Sequence, residues 1–216
     1  MHKGLSQGLG ESPNFELPLA ILMTLFSIAY FVSDDFTRFA LHWALHRFEW
    51  LWQLHKVHHS AEVLSPMTVY RLHPLEMCLY TLRKLCTVAL VAGLFSWLFA
   101  GKITGWMILG VDAAGFIFNF MAANLRHSHI WLSFGVFEKA FISPAQHQIH
   151  HSSLAQHRNK NFGSCLSLWD RCLGSLVYSN SVSVNPHQWQ QLPFGLEQPV
   201  QARKAEIVAN VEWADS

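Results

Sequence analysis

The chain has 216 residues, enough for one domain with a substantial core. Apolar residues make up 51% of it and charged residues 13%, about half the usual charged share, which favours a membrane protein. A net charge of +1 with histidine neutral argues against a nucleic-acid partner, and four cysteines without a C-x-x-C pair argue against a disulfide framework.

Residues 1–16 form an amino-terminal segment, and Met1 to Phe15 lacks the basic–apolar–small layout of a cleaved signal. Three apolar stretches follow: Leu17 to Val32 and Leu85 to Ala100, each of 16 residues, and Ile103 to Ala123, of 21. A span needs about 20 apolar residues, so only the third crosses unaided. The first is expected to continue as a helix past Asp34 and Asp35. The second gains length from Leu79 to Leu82, with Arg83 and Lys84 snorkelling. Gly101-Lys102 breaks the chain between the second and third, which predicts an antiparallel hairpin. From Ser179 the sequence turns polar, with Pro186, Pro193 and Pro199, and reads as a loose tail over residues 179–216 with room for one short helix at Ala202 to Val211. The expected fold is therefore all-α: integral membrane helices with a histidine-rich helical cap holding a dimetal site, within residues 17–178.

Arg38, Arg47, Lys56, Arg71, Arg83 and Lys84 precede the hairpin, and Arg126, Lys139, Arg158, Lys160 and Arg171 follow it, while its tip carries only Lys102. The positive-inside bias then places the cap on the cytoplasmic side.

Ten of the 14 histidines fall into four clusters: His42 and His46; His55, His58 and His59; His127 and His129; His147, His150 and His151. On a helix, H-x-x-x-H points two imidazoles at one point. H-x-x-H-H adds a third, with the adjacent ring turned by about 100° towards a second ion. Neutral imidazole suits iron, copper and zinc, and ten rings exceed the four to six positions of one ion, so more than one metal is implied. Lys56 and Gln148 stand where a zinc peptidase has its glutamate, so H-E-x-x-H is absent and the site is read as all-nitrogen or nearly so.

Neighbouring groups are weighed as supports. His157 is close enough to His151 to line the site, and His73 is expected to pack with Glu76 and Arg71. Asp35, two helical turns before His42, and Glu62, one turn after His58, are candidate partners for the far nitrogens of bound imidazoles. Asn161 and Trp169-Asp170-Arg171 read as a polar brace. Asp112, about 22 Å along a helix from His127, is too far to ligate and lines either the hairpin interface, the favoured reading, or a substrate tunnel.

These residues also form a larger pattern. Asp35, His42 and His46, then L-W-x-x-H-x-V-H-H-S (Leu51 to Ser60) and Y-R-L-H-P-L-E (Tyr70 to Glu76), are followed by R-H-S-H (Arg126 to His129), S-P-A-Q-H-Q-I-H-H-S (Ser143 to Ser152), N-F-G (Asn161 to Gly163) and L-W-D-R-C-L-G (Leu168 to Gly174). Over about residues 30 to 178 the chain resembles the fatty acid hydroxylase superfamily, or sterol desaturase family, in its bacterial form without a cytochrome domain. The resemblance implies two iron ions, replaceable by zinc on isolation, bound by His42, His46, His55, His58, His59, His127, His147, His150 and His151. It also implies O₂ as co-substrate and hydroxylation or desaturation of a lipid or sterol-like membrane substrate. H-S-H departs from the family's wider spacing at His129. Other members commonly carry further amino-terminal membrane helices where one segment precedes the clusters here.

No haem-attachment motif, nucleotide fingerprint or iron–sulfur cysteine set occurs, so electrons are expected from a separate ferredoxin- or cytochrome-type protein. Trp43, Trp50, Trp52, Phe118 and Phe120 either line a lipid tunnel or anchor the interface. The competing reading is a histidine-rich metal-binding or transport protein without oxidase activity; transport would put ligands inside the spans, whereas these sit at their ends.

Overall fold

The computed structural model describes residues 10–183 and 192–196, so the short helix expected at 202–211 lies outside the described residues. The described part is helical, with one isolated antiparallel bridge between Phe141 and Leu166. Three long helices, α1 (Leu19–Arg47), α3 (Pro74–Leu98) and α4 (Gly105–Arg126), are long and apolar enough to cross a membrane. The shorter α2 (Glu49–His59), α5 (Pro144–His151) and α6 (Leu168–Leu173) build the cap.

At 29 residues, α1 is about 43 Å long, against about 30 Å of hydrocarbon. It therefore carries His42 and His46 beyond the apolar layer. Its amino-terminal half packs on α3 through Leu22, Phe26 and Tyr30 against Val91, Phe95 and Phe99. Both sets recur every fourth residue, so each forms one stripe along its helix. On α4 only Met107 and Arg126 are buried, and Trp106, Phe116 and Met121 face outward. Exposed apolar surface of this extent marks a lipid-facing wall.

Lipid tails are as apolar as leucine, so helix association inside a bilayer relies on packing and polar ties. Asp34 accepts from Arg38 at 3.0 Å and from Arg83 of α3 at 2.7 Å. Asp112 of α4 accepts from Tyr30 of α1 at 2.9 Å and from Lys84 of α3 at 3.0 Å. One carboxylate thus joins all three helices.

The turn between α3 and α4 is longer than Gly101-Lys102 alone. Ala100 and Gly101 both take positive φ, and the Thr104 hydroxyl caps α4 by accepting from Met107 N at 3.3 Å. At the other end α3 starts at Pro74, five residues before the apolar run: proline suits the first helical turn, and the His73 ring caps it. This brings the end of α1, the start of α3 and the end of α4 together beneath the cap.

Cysteine labelling across intact membranes checks the orientation, in a background lacking the four native cysteines. Lys102→Cys and Gln156→Cys should react from opposite faces, with Gln156→Cys on the cytoplasmic one. Labelling of both from one side would make the hairpin re-entrant.

Candidate metal centre

Four segments deliver the imidazoles. The end of α1 supplies His42 and His46, α2 supplies His55, His58 and His59, the residue after α4 supplies His127, and α5 supplies His147, His150 and His151. Ser143 starts α5 by accepting from Gln146 N while Gln146 Oε1 accepts from Ser143 N, a reciprocal cap with Pro144 in the first turn. All eight residues of α5 are buried.

Nine rings form two groups: His42, His46, His55, His59 and His150, and then His58, His127, His147 and His151, the ligating nitrogens of each lying within 4.8 Å of one another. Trans nitrogens about 2.1 Å from a shared ion would stand about 4.2 Å apart, so each group has single-ion dimensions. The groups interleave. The i, i+4 pair of α2, His55 and His59, belongs to the first group and His58 to the second; in α5 the pair His147 and His151 belongs to the second and His150 to the first. His59 and His151 meet across the boundary with ring centroids 4.4 Å apart.

Four of the far nitrogens are tied down. Nδ1 of His42 donates to the Phe162 carbonyl at 2.7 Å, that of His150 to Lys160 at 2.7 Å and that of His127 to Ala123 at 2.8 Å. Nδ1 of His55 donates to Glu76 Oε1 at 2.7 Å. A donating Nδ1 leaves a lone pair on Nε2, aimed into the group. Nε2 of His46, His55, His59 and His150 is buried without a hydrogen-bond partner. In the second group, Nε2 of His127 lies 3.1 Å from that of His58 and 3.0 Å from that of His147. The unpartnered nitrogens of the first group repel unless a cation lies between them, and those of the second stand close enough to share one, so the donor set fits a metal pair. Burial pushes the His58 pKa down to about 4. Burial, reinforced by neighbouring imidazoles, holds His55, His59, His127, His147, His150 and His151 well below the ordinary histidine value. They are thus neutral near pH 7, as metal binding requires.

Other expected residues lie elsewhere. His129 is exposed and in neither group, because Ser128 turns back on Leu125 O, through N at 3.2 Å and through Oγ at 2.7 Å, and the chain leaves the site. His157 is buried outside both groups, His73 caps α3, and Glu62 is exposed. Asp35 does not meet His42. Its carboxylate accepts from Cys165 N at 3.0 Å, Leu166 N at 3.1 Å and Trp169 Nε1 at 2.9 Å. The helical spacing placed the two on one face, but three donors from the 165–169 segment capture the carboxylate, and a backbone carbonyl orients His42.

Asn161 acts on the same loop, its Nδ2 donating to Gln146 O and Val177 O, both at 3.0 Å, while its Oδ1 accepts from Val177 N. Asp170 accepts from Phe162 N at 2.9 Å and Gly163 N at 2.7 Å, presenting the Phe162 carbonyl to His42. A Cβ at Gly163 would stand 2.8 Å from Leu166 O and 2.9 Å from Asp170 Oδ2, so the turn has no room for a side chain. Sequence reasoning tied Glu76 to His73 and Arg71 and missed its bond to His55; a lone acid opening an apolar helix was the available signal.

The centre faces two spaces. A pocket of about 340 Å³ opens beside His46, Trp52, His59, His150 and Arg158. A groove of about 450 Å³ runs from His42, His55, His58, His127 and His147 down among α1, α3 and α4 as far as Tyr30 and Asp112.

With this geometry established, residues 27–175, more than half of the chain, match the family model for fatty acid hydroxylase. The chain belongs to the fatty acid hydroxylase family. Human alkylglycerol monooxygenase is 24% identical over 86% of this chain and 36% of its own length. The ornithine lipid hydroxylase OlsE of Rhizobium tropici is 26% identical over 67% of this chain and 39% of its own. A very-long-chain aldehyde decarbonylase of Oryza sativa is 27% identical over 76% and 59% respectively. The chain thus spans between about a third and three fifths of these relatives. No solved structure matches it significantly.

Two substitutions separate metal support from loop support. Glu76→Gln should weaken metal affinity by roughly 10–100-fold, read by competition with a chelator. Asp35→Asn should leave metal content unchanged and lower stability by about 1–3 kcal/mol, read by melting in detergent. Metal loss in Asp35→Asn with stability intact would return that carboxylate to the centre.

Proposed function

We propose that this chain oxidises a membrane lipid with O₂, using two iron ions held by the nine grouped histidines. The observation that carries the reading is the joining of two all-imidazole groups, each of a size to hold one ion, to a groove between membrane-crossing helices. Such a groove lets a lipid reach the centre from the bilayer without crossing water. The family membership and the names of the relatives, an alkylglycerol monooxygenase and an ornithine lipid hydroxylase among them, support lipid oxidation as the chemistry.

Iron bound here supplies reductive O₂ activation and the oxidising power to attack an unactivated C–H bond. The chain's own contribution is positional. Carbonyls of Phe162, Lys160 and Ala123 and the Glu76 carboxylate orient four of the rings. Leu45, Ile149 and Phe162, all buried, pack within the cap and exclude water. Electrons come from a separate ferredoxin- or cytochrome-type protein in this reading, and the 340 Å³ pocket beside Trp52, lined by His46, His59 and His150, offers such a donor an approach. The Trp52 ring lies 5.2 Å from that of His46 and 5.5 Å from that of His59. The cap faces the cytoplasm in this reading.

Protein purified anaerobically should hold about two metal equivalents, iron in the active form, falling sharply in His58→Ala or His150→Ala. One equivalent in folded protein would overturn the paired centre. Membranes containing the protein, supplied with an electron donor and isotope-labelled O₂, should yield a lipid that has gained labelled oxygen or lost two hydrogens. His59→Ala and His151→Ala should abolish the product. An unchanged lipid profile in wild-type membranes with iron-loaded protein would overturn the proposed activity.

A further inference from the structure

A second, wider groove of about 1310 Å³ runs between α1 and α4, walled mainly by apolar side chains such as Met23, Phe31, Trp106 and Phe118. Tyr30, Asp34, Arg38, Gly115, Asn119 and Arg126 line both this groove and the 450 Å³ one, so the two share a border. The wide groove has the size and character for an alkyl chain, while the narrow one holds the histidines and most of the charge.

Four cations lie along the narrow groove, and three of them have a carboxylate partner. Arg38 and Arg83 reach Asp34 at 3.0 and 2.7 Å, and Lys84 reaches Asp112 at 2.9 Å. The fourth, Arg126, stands at the histidine end, immediately before His127, and is 8% exposed. One of its terminal nitrogens donates to the Ser164 carbonyl, and its Nε is buried without a partner. Among the described residues no carboxylate lies within 4.0 Å of it, and Asp35 is held by Cys165, Leu166 and Trp169. A guanidinium has five donors in a fixed fork that matches a carboxylate or phosphate, and leaving it buried against one neutral oxygen is costly. Nor does the centre offset this charge, since both groups consist of histidine alone.

We infer that Arg126 binds the anionic group of the substrate lipid, a carboxylate or a phosphate. The inference rests on the lipid-oxidising reading and narrows it to a substrate class. The chain of such a lipid lies in the wide groove, and the carbons next to its anionic group face the histidines. Oxidation therefore falls close to the head of the molecule, with Arg126 as a positioning residue that sets the point of attack.

Binding to metal-loaded protein in a neutral detergent tests this without requiring turnover. The probes are palmitate, hexadecyl phosphate and, as the uncharged control, methyl palmitate. Wild type should bind at least one anionic probe about tenfold or more tightly than the ester, as expected for a charge-assisted pair in a buried site. Preference for palmitate assigns a carboxylate substrate, and preference for hexadecyl phosphate a phosphate-bearing one. Arg126→Gln should bring the favoured anion down to the level of the ester and leave the ester unchanged. Arg126→Lys should keep part of the preference, and it serves as the readout if Arg126→Gln does not fold. Equal binding of charged and uncharged probes by wild type would overturn the inference. So would a preference that survives Arg126→Gln, which would assign the anion to the metal ions. Charge-selective binding without lipid oxidation would overturn the proposed activity and the point of attack, and would leave Arg126 assigned as an anion site.

Discussion

The structure is organised around buried imidazole lone pairs aimed at two points. Ring nitrogens 3.0–3.2 Å apart must share a proton or a cation, so every ring is held in place by the segment that carries it and four of them also by a bond at the other nitrogen. The bonds from His42, His55, His127 and His150 to carbonyl or carboxylate oxygens meet that demand. The exchange between the two H-x-x-H-H helices goes further. Because α2 gives two rings to one group and one to the other, and α5 does the reverse, neither group is complete unless α2 and α5 are docked together. Formation of one group positions a ring for the other, which couples the two groups through rigid helix geometry.

The cap is pinned by buried carboxylates rather than by an extensive apolar core. Asp35 and Asp170 each gather donors from the 162–175 segment, and Glu138 gathers the hydroxyls of Ser133, Ser143 and Ser179. Hydrogen bonds of this kind are strong where water is excluded, and together they hold these loops in place. They let short, irregular segments present carbonyl oxygens to the rings. Below the cap the balance reverses. There α1 and α3 share the apolar stripe, while α4 touches it through Ile108 and Val111, is tied by Asp112 and exposes most of its surface, which leaves open the grooves on either side of the border at Tyr30, Gly115 and Asn119.

Much of this was legible in the residues, and the failures have physical causes. The apolar runs located all three long helices, though not their ends, because proline and histidine caps at residues 73–74 and a six-residue turn at 99–104 act through backbone geometry that hydropathy does not register. Histidine spacing identified the rings that meet. It did not reveal that His129 turns away, since that depends on how the backbone leaves the last turn of α4. Asp35 was placed near His42 by helical periodicity, which states which residues share a face but not what docks on that face.

By itself the sequence determined the class of chemistry: the number and i, i+3, i+4 spacing of its histidines dictate convergent imidazoles, and its apolar lengths dictate membrane-crossing helices. Only the tertiary structure decided which ring joins which group, which oxygens hold the rings, and that Arg126 alone among the groove's cations lies without a carboxylate beside it. The difference is physical. Periodicity is a property of one helix, whereas ligand partition, hydrogen-bond partners and charge balance depend on contacts between segments up to 134 residues apart.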